Sequence, residues 1–527
     1  MEELKNAIVI MFDTLSAKYL GCYGNTWIKT PNMDRLAKEG VLFENWYTEG
    51  LPTVPCRRAM LTGRYTLPKA GWVPLSMEDT TIADLCWGKP IDTGIVLDCP
   101  MFRLPKFGYT RGFDKVWFLH GHEADEHYYE GDELIHMDVD DYFDETSGKK
   151  YCARSGEEAY AAIKKMSASL LSEIQYWKTP EDRYVAKTVK KAIEYLKQVD
   201  RNKQFFLWID SFDPHEPWLP PSTYMRQPCP YDPDYKGKDE FMPLPDLSAE
   251  IYTEAQLHHI RMMYAELVTL CDTWLGHLMD AIHDLGLESS TMLMMVSDHG
   301  SPQGSGEWGH GLMRKCRPWP YEELAHAPAI IRCPGVKRGQ RIKAFAQSCD
   351  VAPTVLDWLG VGVHPDMQGK SLLPLMRGEV DKVRDFAIAG YYDYSWAIYT
   401  DEWSYIHWLT DESTAEVMRA SFYSKNVPSD HLTAMGRKGF ALDQDNMKGA
   451  ENVEEAEGKT LSYFDTLDGK AQWTCTPLAV ADVPARDELY DRTVDRNQLH
   501  NVIADYPEIA AEMLRMLEAH MKALHNS

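Results

Sequence analysis

The chain has 527 residues, 44% of them hydrophobic and 26% charged, enough for one large core and a smaller second domain. Its formal net charge of −25 argues against general binding to nucleic acid or anionic membranes, both of which need basic surfaces. A small anionic substrate stays compatible, because a metal and a few local cations decide the field inside a site.

The opening Met1-Glu2-Glu3-Leu4-Lys5-Asn6 runs straight into an apolar strand, without the layout of a signal peptide. No stretch is long and apolar enough to span a bilayer. Eleven cysteines with no C-x-x-C pair fit reduced thiols better than a disulfide framework. The expectation is a cytoplasmic protein with no membrane or nucleic-acid partner; a homo-oligomer is compatible with it.

Ala7 to Met11 is a short apolar run closing in Phe12-Asp13, the form of a buried parallel strand with a carboxylate at its end. Pro31 to Glu39 predicts a helix with proline in its first turn and Gly40 as its stop. Further buried strands are expected at Gly94 to Leu97, Phe205 to Ile209, Met292 to Val296 and Ala329 to Ile331. Long helical patterns separate them, notably Pro180 to Val199 and Glu254 to Leu285. The Pro-rich stretch from Pro217 to Asp246 reads as a long loop, a kind that is often functional. This alternation predicts an α/β fold: a large, mostly parallel sheet sandwiched by helices, with ligands bound beyond the carboxyl ends of the strands. The character changes after about Arg384. Tyr391 to Ile406 is aromatic and β-prone, Asp411 to Lys470 is polar and acidic, and Tyr506 to Leu524 is an amphipathic helix. We therefore expect a catalytic α/β domain over 1–384 and a smaller C-terminal α+β domain over 385–527.

Several segments carry groups suited to metal-assisted ester hydrolysis. Asp13 closes the first strand, and Asp298 and His299 follow Met292-Leu293-Met294-Met295-Val296 in V-S-D-H-G. Thr53 opens the run Thr53-Val54-Pro55-Cys56-Arg57-Arg58-Ala59-Met60-Leu61-Thr62-Gly63-Arg64, where a helix start favours an anion. Two carboxylates, an imidazole and the threonine oxygen make a mixed oxygen and nitrogen site for one divalent ion, Mn, Ca, Zn or Mg. Arg57, one turn beyond Thr53, is placed to grip nucleophile and anion together. His215 in Asp213-Pro214-His215-Glu216-Pro217 follows another strand, and His310 and Lys315 in G-H-G-L-M-R-K complete a cationic rim. Each residue alone has a bland reading as a loop cap or solvated charge; their order after successive strands is what carries weight.

With these residues in place the chain resembles the sulfatase family of the alkaline phosphatase superfamily. The likeness runs through F-D-T-L-S-A-K-Y-L-G-C-Y-G-N, T-P-N-M-D-R-L-A-K-E-G-V-L-F, D-P-H-E-P-W, S-D-H-G and D-V-A-P-T-V-L-D-W-L-G to E-L-Y-D-R-T-V-D-R-N-Q-L-H-N. It implies Asp13, Thr53, Asp298 and His299 as metal ligands, and Arg57, His215 and Lys315 as anion-binding or leaving-group residues. The run at Thr53 is similar to the family signature C-x-P-x-R, whose cysteine becomes formylglycine. Anchoring on Pro55, Arg57 and Thr62-Gly63-Arg64 puts threonine in that slot, whereas a start at Cys56 would need proline at 58 and arginine at 60. No formylglycine is therefore expected. The family's G-K-x-H element also gives way to Leu97-Asp98-Cys99-Pro100. Both departures favour phosphorus chemistry, in the manner of phosphonate monoester and phosphodiester hydrolases: Thr53 as nucleophile, a phosphothreonine intermediate and a small anionic ester as substrate. A sulfate-ester hydrolase working without formylglycine, a phosphoryl-type transferase and an inactive anion-binding protein stay open as alternatives.

Overall fold

A computed structural model describes residues 4–72, 74–102, 107–122, 137–316, 318–392, 394–409 and 487–526. An eight-stranded sheet forms its centre, in the order Gln340–Ile342, Val41–Phe43, Ala329–Arg332, Thr291–Ser297, Asn6–Phe12, Gln204–Ser211, Ile91–Leu97, Lys115–Phe118. Only Ala329–Arg332 runs against its neighbours; every other pairing is parallel. The central strands are buried on both faces, which is why they read as unbroken apolar runs. Their side chains alternate between two cores: Ile8, Ile10, Leu207, Leu293 and Met295 face one, and Val9, Met11, Phe206, Trp208 and Met294 the other.

The first core is covered by the helices Tyr184–Gln198 and Glu254–Asp284, the second by Val351–Leu359. Thr253 and Gln256 cap the long helix reciprocally. Midway along it, Asp272 accepts hydrogen bonds from the Asn32 and Met33 amides at 2.9 and 2.7 Å, capping the helix Pro31–Glu39 from outside. Gly40 caps that helix, and glycine is required there because a Cβ would meet the Ile331 carbonyl oxygen at 2.6 Å.

Two expectations need adjustment. The helix predicted from Pro180 starts at Tyr184, because Pro180–Asp182 forms a 3-10 turn closed by Thr179 and Asp182. Glu145–Ser155 and Glu157–Ile174 are helices that the sequence reading left unassigned. Pro217 to Asp246 is irregular apart from a turn of helix at Pro221–Tyr224. A second, antiparallel sheet of Ala387–Tyr391, Ser395–Tyr399, Trp403–Trp408 and Glu488–Asp491 lies beyond the main one, followed by the helix Pro507–Asn526. Its Tyr391, Tyr399 and Tyr490 pack on Tyr47, Leu51 and Phe345 of the main body. The polar segment Asp411 to Lys470 lies outside the described residues. Among the described residues no helix is long and apolar enough to cross a membrane, and the cysteines are free thiols.

Candidate active site

Four adjacent strands deliver carboxylates to one edge of the sheet: Asp298, Asp13, Asp210 and Asp98 stand at or just beyond their carboxyl ends. The turn after Asn6–Phe12 is held from several sides. The Asp13 amide donates to the Ser211 carbonyl at 2.9 Å, the Thr14 amide to Asp298 Oδ1 at 2.9 Å and the Leu15 amide to Ser297 Oγ at 3.0 Å. Thr14 itself sits at φ 62°, a conformation that β-branched residues avoid, and the Tyr264 hydroxyl donates to its carbonyl at 2.7 Å. On the neighbouring strand, His299 Nδ1 pairs with the Gly300 carbonyl at 2.8 Å, so Nδ1 carries the proton and Nε2 presents a lone pair. Gly300 is required because a Cβ there would come within 2.1 Å of the Glu323 carbonyl oxygen.

Thr53 is the first residue of the helix Thr53–Thr62 and is 2% exposed. Its Oγ1 lies 3.4 Å from His299 Nε2 and 3.2 Å from Lys315 Nζ. Lys315 also reaches His299 Nε2 at 3.1 Å, Thr14 Oγ1 at 3.3 Å and Asp13 Oδ1 at 3.6 Å. Cys56, three residues on, points behind the site: its Sγ packs 3.0 Å from the Asp298 carbonyl, and burial pushes its thiol well above the usual range.

Arg57 behaves differently from the sequence reading. Instead of facing an anion, its guanidinium is enclosed by carboxylates. Nε and Nη2 donate to Asp210 at 2.9 and 2.8 Å, and Nη1 donates to Asp298 Oδ2 at 2.7 Å. Nη1 also stands 2.9 Å from Asp13 Oδ2 without aiming a hydrogen at it, leaving that oxygen buried and without a hydrogen bond. Arg57 therefore positions the carboxylates, and Lys315 is the cation turned toward Thr53.

Asp13, Asp298 and His299 each offer a ligand atom within 4.8 Å of the other two. With Asp13 Oδ2 free of hydrogen bonds among the described residues and His299 Nε2 unprotonated, this donor set fits a divalent ion. The electrostatics agree. Burial, then the charge of Asp13, pushes Asp298 up; burial works against Asp13 too, but Lys315 and Arg57 hold it well below the usual carboxylate range. Burial and Lys315 keep His299 neutral.

His215 joins the site, close enough that Lys315 and Asp13 both act on its charge; burial first, then Lys315 against Glu216, lowers it to about 4. Its Nδ1 is tied to the Glu216 carbonyl and its ring stacks on Phe212 at 4.0 Å. Glu216 pairs with Arg314 at 2.6 Å, joining the His215 loop to the Lys315 loop. His310 is not brought to the others. Its Nδ1 pairs with Glu323 at 2.9 Å, its Nε2 with the Gln498 carbonyl at 2.7 Å, and its ring stacks on Tyr321. It clamps the hairpin Gln303–Met313 to the C-terminal segment. Asp210, the two-point partner of Arg57, went unrecognised in the sequence, where nothing but its place at a strand end marks it.

The family model described as Sulfatase matches residues 5–361, and one described as N-sulphoglucosamine sulphohydrolase, C-terminal, matches residues 306–427. The chain is 24% identical to an N-acetylglucosamine-6-O-sulfatase of Bacteroides thetaiotaomicron, over 84% of this chain and 85% of that one. It is also 24% identical to the multifunctional alkaline phosphatase superfamily protein PehA of Trinickia caryophylli, over 71% and 77% of the two chains. The structure of a phosphonate monoester hydrolase of Agrobacterium radiobacter superposes with a TM-score of 0.65 at 19% identity, covering 98% of this chain and 96% of that one.

Proposed function

The chain belongs to the sulfatase family of the alkaline phosphatase superfamily, and from that premise we propose that it is a metal-dependent hydrolase of phosphodiesters or phosphonate monoesters with Thr53 as its nucleophile. The observation that carries this reading is the Thr53 hydroxyl, set between Lys315 Nζ and His299 Nε2 at the head of the signature helix. A threonine has no route to the formylglycine hydrate through which its sulfatase relatives are expected to work, but its alkoxide suits attack on phosphorus.

Charge supports the substrate class. Asp13, Asp210 and Asp298 face Arg57 and Lys315, three carboxylates against two cations, with His215 and His299 neutral. With Asp298 ionised as a ligand, a divalent ion held by Asp13, Asp298, His299 and Thr53 would leave the site with a single positive excess. Such a site matches a singly charged ester better than the doubly charged phosphate monoester. When bound, the ion supplies Lewis acidity that lowers the hydroxyl pKa and polarises a non-bridging oxygen.

The chain's own groups divide the proton work. Thr53 Oγ bonds to phosphorus as its proton passes to water, and the P–O bond to the alcohol breaks. Lys315, the ammonium beside Thr53, gives the departing oxygen its proton. His215 is suited to the second step: with Nδ1 tied to the Glu216 carbonyl and the ring neutral, Nε2 can accept a proton from the incoming water. That water bonds to phosphorus and the P–Oγ bond breaks; the solvent proton released in the first step returns to Thr53 Oγ, and the proton taken up by His215 passes through solvent to Lys315.

A second reading, sulfate-ester hydrolysis without formylglycine, is favoured by the relatives named as sulfatases and by the same single substrate charge. A turnover panel separates the two: aryl phosphodiester, aryl phosphonate monoester, aryl phosphate and aryl sulfate, each with Mn²⁺, Zn²⁺, Ca²⁺ or Mg²⁺. The diester or phosphonate should lead. A sulfate turned over fastest would overturn the phosphorus assignment.

A further inference from the structure

Beside the catalytic carboxylates lies a second buried cluster that the reaction above does not use. Asp98 follows the strand Ile91–Leu97, Asp213 follows Gln204–Ser211, and His122 comes from the segment after Lys115–Phe118. All three are 1% exposed or less, and each offers a ligand atom within 4.8 Å of the other two. Among the described residues, only these three and the Asp13, Asp298 and His299 trio come together in this way.

The bland account is an ion pair. Asp213 Oδ1 accepts from Arg183 Nε and Nη2 at 2.9 and 2.6 Å, and Oδ2 accepts from the Val185 amide at 2.9 Å. Asp98 Oδ1 accepts from the Phe212 amide at 2.6 Å. Among the described residues, that account leaves Asp98 Oδ2 and both ring nitrogens of His122 without a hydrogen bond. His122 Nε2 stands 3.6 Å from Asp213 Oδ1, with its ring fixed against Tyr184 and Phe212 at centroid distances of 4.5 and 4.7 Å. A buried polar atom without a partner costs about 1–3 kcal/mol, so Asp98 Oδ2 and the His122 ring call for one.

We propose that Asp98, His122 and Asp213 bind a second divalent transition metal, Zn²⁺ or Mn²⁺. One cation would engage a carboxylate oxygen of Asp98, an imidazole nitrogen of His122 and a carboxylate oxygen of Asp213 together, and two oxygens with one nitrogen are a donor set both ions accept. The site backs onto the catalytic one: the Asp98 amide lies 3.3 Å from the carbonyl of Asp210, the residue that fixes Arg57. The assignment stands on geometry separate from Thr53 and does not depend on which ester is hydrolysed.

Metal counting tests it. Full-length protein stripped with chelator, reloaded with Zn²⁺ or Mn²⁺ and desalted should hold two ions per chain by elemental analysis. The Asp13→Asn/Asp298→Asn double variant should keep one. His122→Phe, which preserves the ring packing, and the near-isosteric Asp98→Asn should each lose one from the wild-type count. A double variant that binds none, or a folded His122→Phe that keeps the full wild-type count, overturns the proposal. If His122→Phe does not fold, the double variant decides alone.

Discussion

Replacing Thr53 by alanine separates a chemical role from a structural one, because the structure assigns the two very different sizes. Among the described residues the Thr53 hydroxyl makes two hydrogen-bond contacts, at 3.2 Å to Lys315 and 3.4 Å to His299, both at the long end of the range. Losing them costs about 1 kcal/mol, and the buried methyl about another 1 kcal/mol, small changes for a protein of this size. Loss of a covalent nucleophile should instead lower kcat by roughly a thousandfold or more, above about 4 kcal/mol of barrier. Thr53→Ala should therefore keep nearly the wild-type melting curve and metal content while turnover of an aryl phosphodiester collapses. Thr53→Ser, which keeps the hydroxyl, should retain part of the rate. Acid quenching of the wild type during turnover, followed by peptide mass spectrometry, should find the phosphoryl group on Thr53. If metal-loaded Thr53→Ala turned over the diester at nearly the wild-type rate, the covalent route would be wrong.

The remaining predictions follow from charge and burial. Arg57→Met strands Asp13, Asp210 and Asp298 together without their shared cation and should cost about 3–5 kcal/mol in denaturant unfolding. Arg57→Lys should recover only part of that, since one ammonium cannot reproduce the paired bonds to Asp210. Lys315→Met should slow esters with alkyl leaving groups far more than esters of nitrophenol, whose oxygen departs without a proton; an equal loss on both would remove Lys315 as the acid. Thr53→Cys creates Cys-x-Pro-x-Arg and, in a host able to make formylglycine, should show the aldehyde mass shift at position 53 and gain aryl sulfate turnover. Glu240, 2% exposed with Oε2 unpaired, is pushed up to about 8 by burial and then by Asp144. A carboxyl raised in the fold is most stabilising below its ordinary pKa and loses that contribution as pH climbs through the folded value. Wild-type stability should thus fall by roughly 2–3 kcal/mol between pH 6 and pH 9 from this group, and Glu240→Gln should flatten the change.

The parts of this molecule legible in its sequence are those where one local pattern carries the information. Strands buried on both faces read as apolar runs, and a carboxylate just past each run marked Asp13 and Asp298. The helix Pro31–Glu39 shows both its proline start and its glycine stop. The helices Glu145–Ser155 and Glu157–Ile174 were less visible, because Gly156 at φ 93° divides a weakly apolar stretch. The site's second layer was illegible for a different reason. Asp210 meets Arg57 across 153 residues, and the sheet register that places Leu97 beside Asp210 cannot be read from either segment alone. His310 misled through proximity. It lies five residues from Lys315, but it belongs to a hairpin strand whose partner Glu323 draws it away, while Lys315 follows the turn at Arg314.

Two of the four described non-glycine residues at positive φ adjoin the proposed chemistry: Thr14 at 62° follows Asp13, and Arg314 at 66° precedes Lys315. Both strained turns are fastened to neighbouring elements, Thr14 through Asp298 and Tyr264, Arg314 through Glu216 beside His215. Strain of this kind persists only where surrounding contacts over-determine the backbone. Here it aims the Lys315 ammonium at the Thr53 hydroxyl and sets Asp13 beside that ammonium. Lys315 Nζ, 3.1 Å from the bare His299 Nε2 and 3.6 Å from Asp13, stands among the same groups that would hold the ion. On the proposed reading, Asp13 and His299 would be occupied as ligands of the ion, which would leave the ammonium with Thr53 and the incoming ester. The proposed metal trio and the proposed proton donor would therefore be coupled through the contacts that Lys315 makes with His299 and Asp13.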